Sequence, residues 1–212
     1  MALRYFTVGR INRISGILGQ DEGGSGGLGE DDRMTNFLIK HIVRTLFVFT
    51  SRKRAIIQAK GLLEKYKRLA EELNPEDGQL IIEVPPMRGV DEDMRRWSFY
   101  MILEHNAIVN KSISAIIGHL AHGEPLNDAA TIDPKKDVMP SESAGTEQLN
   151  AFIESVNAHV KTAKDFNRLR GTKTMPHMVF GDFDAHQWNC MFSFHLGLHY
   201  KQAAYVVRVA KA

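Results

Sequence analysis

Cysteine is almost absent: Cys190 is the only one in 212 residues, so no intramolecular disulfide can form. That suits a reducing compartment, and a cytoplasmic protein is the expectation. An excess of one charge is missing too. The 27 Lys and Arg are balanced by 25 Asp and Glu, which argues against a dedicated nucleic-acid binder with its basic surplus. There is no uncharged apolar run of the ~18–20 residues that a membrane span needs. The most apolar stretch, Phe37 to Phe49, is cut by Lys40, His41 and Arg44. It reads as buried or interfacial, and stable membrane insertion is not expected. Strand alternation and internal repeats are also lacking, and no Ser-His-Asp arrangement is legible from spacing.

What is present is a glycine-rich, acidic segment at 21–32 followed by helical patterns. With nothing to bury, residues 21–32 are expected to be disordered. Their glycines lack the strand before and the Lys-Ser/Thr after that a phosphate-binding loop requires. The chain is therefore divided into a flexible extension at 1–33 and one domain at 34–212, with Met34 a sensible alternative first residue.

Four amphipathic helices are expected in the domain. The first spans Arg52–Leu73, striped by Ile56, Ala59, Leu63, Tyr66, Ala70 and Leu73, and stops at Asn74 and Pro75. A loop at 74–90 leads to the second, which starts at Asp91–Asp93, where acids suit a helix N-terminus. Its stripe is Ile102, His105, Val109, Ile113, Ile116 and Leu120, and it ends before Gly123. A polar loop at 123–143 separates it from the third helix, Thr146–Arg170. The fourth runs from Asp184, which forms a capping box with Gln187, to Ala210; Phe183 and Trp188 form a staple across its first turn.

The fourth helix carries the chemistry. Trp188, Phe192, His195, His199, Gln202, Val206 and Val209 alternate at spacings of four and three, the pattern of a face that packs into a bundle. At about 100° per residue, His199 and Gln202 fall within about 40° of His195, so all three face inward. Two buried imidazoles without partners are costly, and a metal ion converts that cost into a site. His105 has Met101, Ile102, Ile108 and Val109 one turn away, all apolar, and is the natural third ligand. Three neutral imidazoles leave an open coordination position. Zinc, nickel and ferrous iron all accept such ligands. Gln202 would orient a ligand or bound water from behind. His177, in the loop before the fourth helix, would approach the mouth of the bundle.

The remaining candidates carry less. Cys190 falls about 140° from His195 on the helix and is expected to pack as a small apolar residue. His119 shares the stripe of His105 but sits near the helix end with His122, where solvation is expected. His159 and His186 are expected at the surface. Arg52, Lys53 and Arg54 read as a solvated face, and Glu104 points about 100° away from its neighbour His105.

The residues His177, Phe180, Gly181, Phe183, Gln187 and Trp188, then His195, His199 and Gln202 after six intervening positions, resemble the C-terminal signature of the DinB-like (YfiT-like) metal-binding superfamily. The match covers about 26 residues; elsewhere it rests on helix order and on His105. The resemblance implies an all-α fold, an up-down four-helix bundle. It implies metal ligands from the second and fourth helices, which are here His105, His195 and His199. The superfamily includes transferases and isomerases that use a low-molecular-weight thiol. Two functional readings follow. One is a divalent-metal-dependent hydrolase or thiol S-transferase acting on a small molecule. The other is a non-catalytic metal-binding or dimerisation bundle, compatible with a homodimer. A lipid-surface role for residues 35–50 ranks third.

Overall fold

The computed structural model describes residues 30–123 and 137–212. Residues 1–29, with most of the expected linker at 21–32, and the middle of the 123–143 loop lie outside the described residues; the last three linker residues, Glu30–Asp32, are helical instead of disordered. The described chain is mostly helical. Its elements are α1 (Glu30–Phe49), α2 (Arg52–Glu71), α3 (Pro75–Gln79), β1 (Ile82–Glu83), β2 (Arg96–Trp97), α4 (Phe99–His122), α5 (Glu147–Asp165), β3 (Met175–His177), β4 (Gly181–Phe183) and α6 (Ala185–Ala210).

The long helices begin where a side chain satisfies their first amides. Ser51 accepts from the backbone N–H of Arg54 at 3.1 Å, and Ser98 accepts from that of Met101 at 3.2 Å. Asp184 and Gln187 form the expected capping box, and the rings of Phe183 and Trp188 meet edge to face at 5.7 Å. α4 closes on Gly123, whose φ of 75° is the left-handed conformation that glycine adopts without a Cβ penalty.

Four of the helices pack around one core, each buried along its apolar stripe, with Tyr66, Phe99, Phe152 and Phe192 fully buried. Their directions follow from side-chain contacts. Tyr66 donates to the Leu196 carbonyl at 3.1 Å and Lys211 pairs with Glu72 at 2.7 Å, so α2 and α6 run together. Asn110 bonds Ser155 and Ser114 bonds His159, so α4 and α5 also run together. α4 opposes α6, because His105 meets His195 while Gln202 reaches back to Met94. The order is up, down, down, up, not the strict alternation expected. The end of α4 and the start of α5 therefore lie at opposite ends of the bundle.

Other expectations need correction. α1 is an additional helix, beginning at Glu30; it buries Ile39, Val43 and Phe47 and leaves Leu38, Val48 and Phe49 exposed. Among the described residues no helix is long and apolar enough to cross a membrane. The loop at 74–90 contains α3, started by Pro75 behind an Asn74 cap whose Oδ1 accepts from Asp77 N–H at 2.8 Å. α4 starts at Phe99, not Asp91–Asp93, because Glu92–Met94 form a single 3-10 turn and Arg96–Trp97 pair with Ile82–Glu83. α5 ends at Asp165, short of Arg170; Phe166 is extended. Arg52 donates to the carbonyls of Phe166 at 2.7 Å and Asn167 at 2.9 Å, so it closes that end rather than lying free on the surface. The two ribbons, β1–β2 and β3–β4, have two or three residues per strand, too short for any alternation to register in the sequence.

Candidate metal centre

α4 and α6 cross where each contributes histidine. His105, His195 and His199 each offer a ligand nitrogen, and these atoms all lie within 4.8 Å of one another. The Nε2 atoms of His105 and His195 are 3.3 Å apart. Two nitrogens on a tetrahedral zinc at about 2.0–2.1 Å are separated by about 3.3–3.4 Å, so the spacing of this pair matches that of two ligands on one ion.

The tautomers fit as well. His105 Nδ1 lies 2.7 Å from the Val138 carbonyl, which only accepts, so Nδ1 carries the proton and Nε2 presents its lone pair. Glu104, one position earlier, accepts from the Ser141 N–H at 2.7 Å and ties down the same segment. His199 Nδ1 lies 2.9 Å from Gln202 Oε1. Gln202 donates its amide nitrogen to the Met94 carbonyl at 2.7 Å. That leaves the Gln202 oxygen as the atom facing His199, so His199 Nδ1 is the donor and its Nε2 is bare. Hydrogen-bonding the far nitrogen in this way sets ring orientation and ligand basicity in metal sites. His195 has no such support: its Nδ1 is buried without a hydrogen-bond partner.

Burial keeps all three imidazoles neutral. It lowers the pKa of His105 against the opposing effect of the Val138 hydrogen bond. It pushes His199 down to about 3, with the charge of His105 adding to the effect and the Gln202 bond opposing it. His195 falls well below the usual range through burial first, then repulsion from His199, His105 and His177. Neutral imidazole is the metal-binding form. His105 and His199 are each 2% exposed; His195 is half-buried as a residue, with its Nδ1 buried.

Aromatic rings line the surroundings. Trp97, 2% exposed, sits 5.0 Å from the His105 ring and 6.2 Å from that of His199. Sequence reasoning missed it, because its position is set by the β1–β2 ribbon. It also missed the carbonyls of Val138 and Met94, which carry no residue-type signal at all. His177 ends β3 among the rings of Phe180, Phe183 and Trp188, with centroids 4.9–5.4 Å away. Protonation of His177 would disfavour that of His195.

Two histidines expected at the surface are buried, each 1% exposed. His159 stacks on Phe192 at 3.4 Å and hydrogen-bonds Asn189 and Ser114, which replaces the water it loses. His186 sits against the carbonyls of Thr50 at 2.9 Å and Phe47 at 3.2 Å, binding the end of α1 to α6. His119 and His122 are exposed, as expected. Cys190 is buried beside His186, outside the three-histidine cluster, and burial pushes its thiol up to about 12, which leaves it an inert packing group.

No protein-family model, no curated protein and no solved structure matches this chain.

Proposed function

We propose that the chain is a metal-dependent enzyme built on a helical bundle of the DinB-like type, with a divalent ion held by His105, His195 and His199. The observation that carries the reading is the convergence of three neutral ring nitrogens within 4.8 Å, two of them with their far nitrogen already engaged. Within the cluster His105 and His195 meet at 3.3 Å, and a bound ion would satisfy the nitrogens that face each other there. The donor set is all nitrogen, which suits zinc, nickel or ferrous iron and disfavours calcium or magnesium. When bound, the ion supplies a Lewis acid that lowers the pKa of a water or thiol at its open position. The chain's own contribution is to hold His105 and His199 in fixed tautomers and to wall the site with Trp97. A small molecule, with water or a low-molecular-weight thiol as the second reactant, is the substrate class.

The test is elemental analysis of untagged protein purified without chelator, beside the double variant His195→Ala/His199→Ala. Near-stoichiometric zinc, nickel or iron in the parent and none in the variant is the expected result, and names the metal for hydrolase and thiol-transferase assays. Absence of metal from both, even after soaking, overturns the reading. Turnover that His199→Ala abolishes, without changing the melting temperature of the metal-free protein, separates an enzyme from a structural metal protein.

A further inference from the structure

An open groove of about 410 Å³ between the start of α2 and the end of α5 is lined by Arg52, Lys53, Ile56, Ile57, Lys60 and Lys164. Four of the six are cations and none is an acid, in a chain whose 27 basic residues are balanced overall by 25 acidic ones. Its floor is apolar: Ile56 packs with Val160 and Ala163 of α5 in a small buried cluster. At about 100° per residue, Lys53 and Lys60 fall within about 20° of each other on α2, and Ile57 about 40° from Lys53. One stripe of α2 thus carries two ammonium groups with an apolar side chain between them, and Ile57 is 58% exposed. Arg52 is half-buried and held by the carbonyls of Phe166 at 2.7 Å and Asn167 at 2.9 Å. Those partners are neutral, so the guanidinium is fixed in place and keeps its charge. Among the described residues, Lys53, Lys60 and Lys164 make no hydrogen bond or ion pair. Glu64, one turn beyond Lys60, pairs with Lys67 at 3.2 Å.

We infer that this groove binds a small organic anion, a phosphate monoester with an apolar group beside the phosphate. Like charges gathered around one groove repel while it is empty, and a dianion entering among them turns that repulsion into attraction. A phosphate ester carries nearly two negative charges at neutral pH, and lysine serves phosphate as a point charge. The exposed face of Ile57 gives the apolar part of the ester a surface to cover, which inorganic phosphate would leave in water. The volume falls in the range of about 300–1,000 Å³ typical of small-molecule sites. No lining residue belongs to the three-histidine cluster, so this site stands independently of the metal-site reading.

Phenyl phosphate is the probe, with inorganic phosphate and phenol as its two halves. Each is titrated into the full chain at one ionic strength, and backbone amide NMR reads where it binds. Phenyl phosphate should shift the amides of residues 52–60 and of Lys164 saturably, and bind about tenfold more tightly than either half. The triple variant Lys53→Gln/Lys60→Gln/Lys164→Gln changes only exposed side chains, so it should keep the parent's spectrum elsewhere and bind phenyl phosphate at least tenfold more weakly. Ile57→Ser should bring phenyl phosphate down to the affinity of inorganic phosphate. A triple variant that binds like the parent overturns the inference. So do shifts that never saturate, or that fall on the three-histidine cluster or on lysines elsewhere. Equal affinity of the parent for phenyl phosphate and inorganic phosphate overturns it in favour of a simple anion site. Co-sedimentation with phosphatidylglycerol vesicles, without saturable binding of phenyl phosphate, overturns it in favour of a lipid surface.

Discussion

Gln202 sets the tautomer of His199: its Oε1 accepts the Nδ1 proton at 2.9 Å only because its own amide nitrogen is committed to the Met94 carbonyl at 2.7 Å. Both side chains are almost completely buried, so the bond between them has no water as an alternative. Gln202→Leu keeps the volume and removes both bonds. Loss of such an orienting partner costs about 10–100-fold in metal affinity, and that is the expected drop in competition with a chromophoric chelator. Affinity unchanged within twofold would show that His199 needs no orientation.

The buried histidines predict acid sensitivity of the metal-free protein. Folded-state pKa values are pushed down to about 3 for His159 and for His199, against about 6.5 in an unfolded chain. The unfolded state thus binds protons that the folded state refuses. The stabilisation is complete above pH ~6.5 and drains away as the pH falls toward 3, at about 1.4 kcal/mol per pH unit for each such histidine. Urea unfolding between pH 7 and 4.5 should show this slope, and His159→Gln, outside the three-histidine cluster, should reduce it by one histidine's share. Parallel slopes for parent and variant would place the acid sensitivity elsewhere.

The sequence made the cluster legible because helical spacing is a strong signal. The His195–His199 pair and the inward face of His105 follow from a period of 3.6 residues, and the cap at Asp184 follows from residue type. Trp97 was not legible in this way. It lies in a two-residue strand whose pairing with Ile82 is a long-range event that periodicity does not register. The direction of α5 was hidden for a similar reason, since amphipathicity says which face is buried and nothing about which end is up. His159 and His186 were misplaced because histidine is intermediate in burial preference. Their burial depends on partners far away in the chain, Asn189 for one and the carbonyls of Phe47 and Thr50 for the other.

Arg44 joins α1 to the hairpin that carries His177, through two carbonyls and by lying 5.7 Å over the Phe183 ring. Hydrogen bonds from a charged donor contribute about 1.5–3 kcal/mol. Arg44→Ala should therefore loosen the hairpin locally. Hydrogen exchange at the amides of Val179 and Phe180 should accelerate at least tenfold, while α4 and α6 keep their protection. Acceleration spread evenly over all helices would instead make Arg44 a global stabiliser.

Two glycines give opposite expectations for one substitution. Gly61 lies exposed inside α2, and a Cβ there meets nothing within 4 Å. Gly61→Ala should stabilise the protein by about 0.5–1 kcal/mol, the difference in helix propensity. Gly89 has φ +75°, and a Cβ there would stand 2.8 Å from Leu198 Cδ1. Leu198 precedes His199 on α6, so the clash falls on the side chain beside one of the three histidines. Left-handed backbone costs alanine about 1–2 kcal/mol, and crowding of a packed site adds about 1–3 kcal/mol. Gly89→Ala should lower the urea midpoint and weaken metal binding together, whereas Gly61→Ala should raise the midpoint and leave metal affinity untouched. If Gly89→Ala destabilises the chain with no change in metal affinity, the turn at 87–90 supports the fold without supporting the position of His199.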